Sequence, residues 1–140
     1  MPIPAAYKSQ EPSTTWTRIE MLLALYNKAI EHLDDSLRSL AQNDVATNVL
    51  QRTRAATVIV AIRSGILTEY GDIPTKIDQL CEYVQQCIAD GSRERIESAR
   101  GVMSTLREGF EGIRTDANAM ERNGEIKSIP TPETTFESVC

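Results

Sequence analysis

From Ile19 to Leu40, apolar residues return in alternating steps of four and three: Ile19, Leu23, Tyr26, Ile30, Leu33, Leu37 and Leu40. Steps of that size place all seven on one stripe of an α-helix, so the segment has to lie against other helices. Met21, Leu22, Leu25 and Ala29 broaden the stripe at its N-terminal end beyond what one interface covers. The excess implies something further laid over it, and a small bundle with surplus apolar surface reads as a protein that binds another chain.

Three later segments supply the helices this stripe needs. Asn43 and Asp44 provide a turn and an N-cap, and a second helix follows from about Val45 to Thr68. Its stretch Ala55 to Ile62 is apolar around most of the circumference. So Val- and Ile-rich a run also suits a strand, but the polar residues Gln51 to Arg54 and Arg63 to Ser64 keep a helical frame around it. Gly71, Asp72 and Pro74 stop and restart the pattern, and Ile73, Ile77, Leu80, Val84 and Cys87 form the stripe of a third helix. Ser92 caps a fourth helix, with Ile96, Ala99, Met103, Leu106, Phe110, Ile113 and Ala117 in heptad-like steps. Gly101, Gly109 and Gly112 fall inside it, where close packing is the expected reason.

The fold class expected is therefore all-α, an antiparallel four-helix bundle over residues 15–117. Thr17 and Glu20 match a capping box at its start. Residues 1–14 hold three prolines and suit an extended N-terminal arm. Beyond Asn118 the stripe stops, and residues 118–140 read as a disordered C-terminal tail in which Phe136 and Val139 are the large apolar groups.

Charge and cysteine usage narrow the function classes. A net charge of −5, with Lys and Arg scattered, argues against nucleic acid as a partner. Cys81, Cys87 and Cys140 are an odd set without CxxC spacing, which fits free thiols better than a zinc site or a disulfide framework. No signal peptide and no membrane span are visible, so a cytoplasmic protein is expected. His32 is the single histidine. Phosphotransfer through it is disfavoured, because Asp34 and Asp35 follow at once and would repel an incoming phosphoryl group. No nucleophile is paired with a histidine, no phosphate loop appears, and no metal or cofactor is called for. An enzyme is not expected.

Two segments taken together carry a family resemblance. Thr15-Trp16-Thr17-Arg18-Ile19-Glu20-Met21-Leu22-Leu23-Ala24-Leu25-Tyr26-Asn27-Lys28-Ala29-Ile30 is followed, at the right distance, by Gly71-Asp72-Ile73-Pro74-Thr75-Lys76-Ile77-Asp78-Gln79-Leu80-Cys81-Glu82-Tyr83-Val84. Their order, spacing and helical placement resemble the flagellin-specific export chaperone of flagellar type III secretion, over roughly residues 7–115. Leu25-Tyr26 and Ala29-Ile30 keep the first pattern, while Gly71, Ile73, Leu80 and Tyr83 keep the second. Asn27-Lys28 and Cys81 depart from it.

The resemblance implies a bundle that binds the disordered C-terminal segment of flagellin along apolar grooves, blocks its premature polymerisation and delivers it to the flagellar export gate. On that reading Leu22, Leu25, Tyr26, Val58, Ile62 and Tyr83 are candidate groove residues. Tyr7 in the arm is a candidate plug when flagellin is absent. Each of the six groove candidates is also readable as an ordinary core position. Leu25→Asp separates the two readings, since a groove residue would lose binding and keep helicity. The competing function is a self-associating bundle whose surplus face makes a homodimer, or a chaperone of the same fold for another secreted client.

Overall fold

The computed structural model describes residues 16–124. The arm with Tyr7, and the part of the tail that includes Phe136, Val139 and Cys140, lie outside the described residues. The described chain forms helices α1 (Arg18–Ala41), α2 (Val45–Ser64), α3 (Asp72–Asp90) and α4 (Arg93–Arg122), with one 3-10 turn at Thr68–Tyr70. The all-α four-helix architecture expected from the stripes is the one found.

Two compact units are distinguished. Leu22–Glu111 form one, and the described residues 16–21 with 112–124 belong to the other. The larger unit is the bundle. Its side-chain pairings run in opposite senses in three pairs of helices. Between α1 and α2, the His32 Nδ1 lies 2.7 Å from Gln51 Oε1, and one turn later the Ser36 hydroxyl donates to Asn48 Oδ1 at 2.5 Å. Between α2 and α3, Arg52 reaches Ile88 and Ala89 while Arg63 reaches Asp78. Between α4 and α1, Arg100 pairs with Asp34, and Arg107 donates to Asn27. As residue number rises on one helix it falls on its neighbour, which makes the packing antiparallel.

The core is built from the predicted stripes with local corrections. Tyr26, Ala29 and Leu33 of α1, Ala55, Ile59 and Ile62 of α2, Cys81, Val84, Cys87 and Ile88 of α3, and Ile96, Ala99 and Met103 of α4 form one buried cluster. On α3 the register differs from the expected stripe: Cys81 is fully buried, whereas Leu80 is 40% exposed and Ile73 73% exposed. A thiol is small enough to lie where two helices approach closely, and the bulkier leucine is turned outward. Burial pushes the Cys81 thiol up in pKa, and both described cysteines are free.

Helix ends follow local chemistry. Asp44 accepts the Thr47 N–H at 3.1 Å as N-cap of α2, which holds its carboxyl below the usual range. Ser92 does the same for α4 through the Arg95 N–H. Pro74 sits in the first turn of α3, where a missing N–H costs nothing. Helix α2 ends at Ser64, four residues before the expected Thr68, because the Gly65 N–H turns back onto the Ile62 and Arg63 carbonyls.

Arg52 closes the end of α3. Its Nε and Nη2 donate to the Ile88 and Ala89 carbonyls, both at 2.9 Å, and it lies over Gly91, whose φ of 77° is left-handed. A Cβ at Gly91 would come within 2.4 Å of the guanidinium carbon. Gly91→Ala combines that clash with the cost of a left-handed alanine, so it is expected to destabilise the bundle by about 1–2 kcal/mol. Urea unfolding followed by circular dichroism measures it, and an unchanged midpoint would contradict the account.

In the smaller unit, α4 continues to Arg122, five residues beyond the point where the sequence pattern stops. These residues fasten the start of α1. Thr17 accepts the Glu20 N–H at 3.4 Å, as half of the expected capping box, and its hydroxyl bonds Asn118. The Glu20 carboxylate turns to Asn118 Nδ2 at 3.2 Å instead of completing the box. Glu121, only 7% exposed, accepts the Arg18 backbone N–H at 3.1 Å, so a residue from the other end of the domain satisfies an open donor of the first turn. Asn118 and Glu121 are polar, which is why no apolar stripe announced this last stretch of helix.

Candidate functional site

Of the four residues that broaden the α1 stripe, Met21 is exposed and the other three lie in or against the core. Leu22 and Leu25 pack against the core from its edge, and Ala29 is part of it. The expectation for Leu25→Asp changes accordingly: a carboxylate there would disturb core packing, so loss of helicity is expected along with any loss of binding.

An open apolar groove lies between α3 and α4. Leu80 and Tyr83 come from α3, and Ser98, Gly101, Val102, Thr105 and Leu106 from α4, around a volume of about 470 Å³. Each helix contributes through its i, i+3 and i+4 neighbours, so the groove is a consequence of two parallel rows of side chains that do not meet. Leu80, Val102 and Leu106 give apolar walls. Gly101 leaves a gap in the α4 row: a Cβ added there, or at Gly109, would meet no atom within 4 Å. The close packing expected of the glycines of α4 is therefore not what they provide.

One end of the groove carries positive charge. The Arg95 guanidinium stands over the Tyr83 ring, 5.2 Å from its centroid. The remaining polar lining is hydroxyl, from Ser98 and Thr105. Such a surface can bury an apolar helical segment and hold its end through one cation. Its hydroxyls have no carboxylate or histidine beside them in the lining, and among the described residues no cluster of His, Cys, Asp and Glu could hold a metal.

Of the six sequence-derived groove candidates, Tyr83 lines this groove. Tyr26 and Ile62 are interior residues, fully buried and 2% exposed respectively, and that is a correction. Tyr26 is packed against Phe110 with ring centroids 5.5 Å apart, and Ile62 lies on the side of α2 that faces the core. Leu22, Leu25 and Val58 are half-buried against the core and are not part of the α3–α4 groove. Leu80, Gly101, Val102 and Leu106 line the groove and were not among those candidates. Leu80, like Leu106, fell on an apolar stripe and was read as core. Gly101 carried a usable signal, since a glycine inside a long exposed helix costs about 1 kcal/mol relative to alanine and needs a reason.

His32 is buried and engaged with Gln51. A phosphoryl acceptor needs an accessible ring nitrogen, and this ring is largely covered.

The frame behind the groove is held by an ion pair. Arg63 grips Asp78 with Nε and Nη2 at 2.8 and 3.0 Å, and its Nη1 donates to Gln85 at 2.6 Å. These bonds hold the Asp78 carboxyl below the usual carboxylate range. Because the folded pKa lies below the unfolded one, the stabilisation is complete above about pH 4 and disappears as pH falls through the folded value. Asp78→Asn is therefore expected to lower stability at pH 7 and to narrow its difference from wild type below about pH 4, as read by urea midpoints across pH. A difference independent of pH would remove the ion pair as the cause.

Among the described residues no helix is long and apolar enough to cross a membrane. The family model of the flagellar protein FliS matches residues 3–117, which includes α1, α2, α3 and most of α4. No curated protein matches the chain.

Proposed function

The chain belongs to the flagellar protein FliS family, a family of flagellar export chaperones, and from that premise we propose that it binds the C-terminal segment of flagellin in the α3–α4 groove. The observation that carries the reading is an open groove with apolar walls and a glycine in its floor, in a bundle whose core is complete without it. A client segment that is unstructured alone can fold there into a helix, laying an apolar side between Leu80, Val102 and Leu106 while its backbone passes close to Gly101. Tyr83 and Arg95 meet its end. The chaperone is preorganised, so the ordering cost falls on the client.

Holding the segment in this way keeps flagellin from polymerising before export and presents it to the type III export gate from the cytoplasm. Tyr7 is the arm residue positioned by sequence to act as a plug for an unoccupied groove.

Calorimetric titration of the full-length protein with the C-terminal segment of flagellin from the same organism tests the reading, with circular dichroism on the mixture. One-to-one binding with a gain in helicity, lost in Leu80→Asp, is the expected result. Binding that Leu80→Asp leaves unchanged would move the client elsewhere on the bundle, and no binding by a folded wild type would remove flagellin as the client.

A further inference from the structure

The solvent side of α2 is nearly free of charge. Val45, Val49, Thr53, Thr57 and Val60 fall on one side of this helix and Leu50 adjoins them; all six are exposed. Val45 is 73% exposed and Val60 57%. The two threonine hydroxyls are turned back onto their own helix, Thr53 to the Val49 carbonyl at 2.8 Å and Thr57 to the Thr53 carbonyl at 3.0 Å. What this side presents to solvent is therefore branched methyl surface. A patch of that kind on a chain of net charge −5 calls for a cover.

The charges around the patch say what kind of cover. From Val45 to Ser64 there is no Asp or Glu. Of the three arginines, Arg52 is tied to the end of α3 and Arg63 to Asp78 and Gln85. Arg54 is the third, exposed at the margin of the patch close to its midpoint, and it is engaged in no ion pair or hydrogen bond among the described residues. A two-fold pairing of α2 with a second copy, centred on the patch, would bring Arg54 against its own symmetry mate, which like-charge repulsion disfavours. An apolar helix carrying a carboxylate opposite Arg54 meets no such conflict.

We propose that the outer face of α2 is a second docking surface, for an amphipathic helix of a partner protein that bears an acidic side chain beside its apolar stripe. No residue of this face lines the α3–α4 groove. The surface therefore works with the groove empty or filled, and the inference does not rest on the identity of the groove's occupant.

Two synthetic helical peptides test it on the full-length protein by fluorescence anisotropy. They share one Leu/Ala stripe and differ in carrying Glu or Lys beside it. The Glu peptide is expected to bind about three- to fivefold tighter than the Lys peptide, and Arg54→Glu to reverse the order. Val49→Lys, at an exposed position that leaves the fold intact, abolishes binding, whereas Leu80→Lys in the groove leaves it unchanged. Failure of either peptide to bind saturably, equal affinities for both, or loss through Leu80→Lys with Val49→Lys silent would each overturn the proposal. So would a dimer of the wild-type protein in sedimentation that Val49→Lys dissociates, since a second copy would then be the cover.

Discussion

Gly101→Leu is expected to yield a chain that is more stable than wild type and binds flagellin's C-terminal segment at least about 30-fold more weakly. The two effects come from one position. In the free protein the glycine sits in the body of α4 with open space where a side chain would go, so a leucine gains close to 1 kcal/mol of helix propensity without a clash. In the proposed complex the client's backbone passes through that same space, which the new side chain would fill. A cost of 2 kcal/mol or more in binding is the scale expected when the centre of an apolar interface is obstructed. Calorimetry against the segment and a thermal melt of the free protein measure both. A variant that is stabilised and still binds normally would place the client away from this groove; a destabilised variant would mean that the space is not open in solution.

Tyr26 is expected to dominate stability. Its ring is fully buried, tilted 34° to Phe110, and belongs to the one core cluster to which all four helices contribute. Tyr26→Ala leaves a cavity at the centre of the bundle and should cost about 3–5 kcal/mol, a large share of what a domain of this size has. The hydroxyl contributes little to that total. It has no hydrogen-bond partner of good geometry, and the Cys81 thiol, a weak partner, is the group it couples to. Burial beside that thiol raises the phenol well above its ordinary pKa, so it stays neutral over the whole working range. Tyr26→Phe is accordingly expected to be neutral or to stabilise by about 1 kcal/mol, since a buried polar atom without a good partner is removed. Urea denaturation of both variants separates the ring from the hydroxyl. A Tyr26→Phe loss as large as that of Tyr26→Ala would mean that the hydroxyl, not the ring, holds the core.

These predictions mark where sequence reasoning succeeded and where it stopped. The stripes of α1 and the first half of α4 were legible because an apolar residue every third or fourth position has one physical solution, a helix with a buried side. The caps were legible because Asp44 and Ser92 act within their own first turns. The last turn of α4 was not, because Asn118 and Glu121 are buried through polar bonds to Thr17, Arg18 and Glu20, more than ninety residues away. The candidate site was harder still. Tyr26 and Leu80 both lie on apolar stripes, and periodicity assigns them alike; yet one is the centre of the core and the other a groove wall.

The sequence by itself determined that the chain makes four helices, roughly where each begins, and that it carries more apolar surface than a small bundle consumes. Its two conserving patterns around Leu25-Tyr26 and Gly71 to Tyr83 also pointed to the family. Tertiary structure alone decided which surface is left over. A helix of apolar residues can turn any part of its arc inward, and the choice depends on the neighbours that it meets. Most of the broad arc of α1 is absorbed by the core, because Leu22, Leu25 and Ala29 find partners there while Met21 stays exposed. The outer side of α2 is not, because the pairings that fix Arg52 over Gly91 and Arg63 against Asp78 commit its opposite face to the interior; in the α3–α4 groove Leu80 stands exposed, while Tyr83, Val102 and Leu106 rest on the core with one side uncovered.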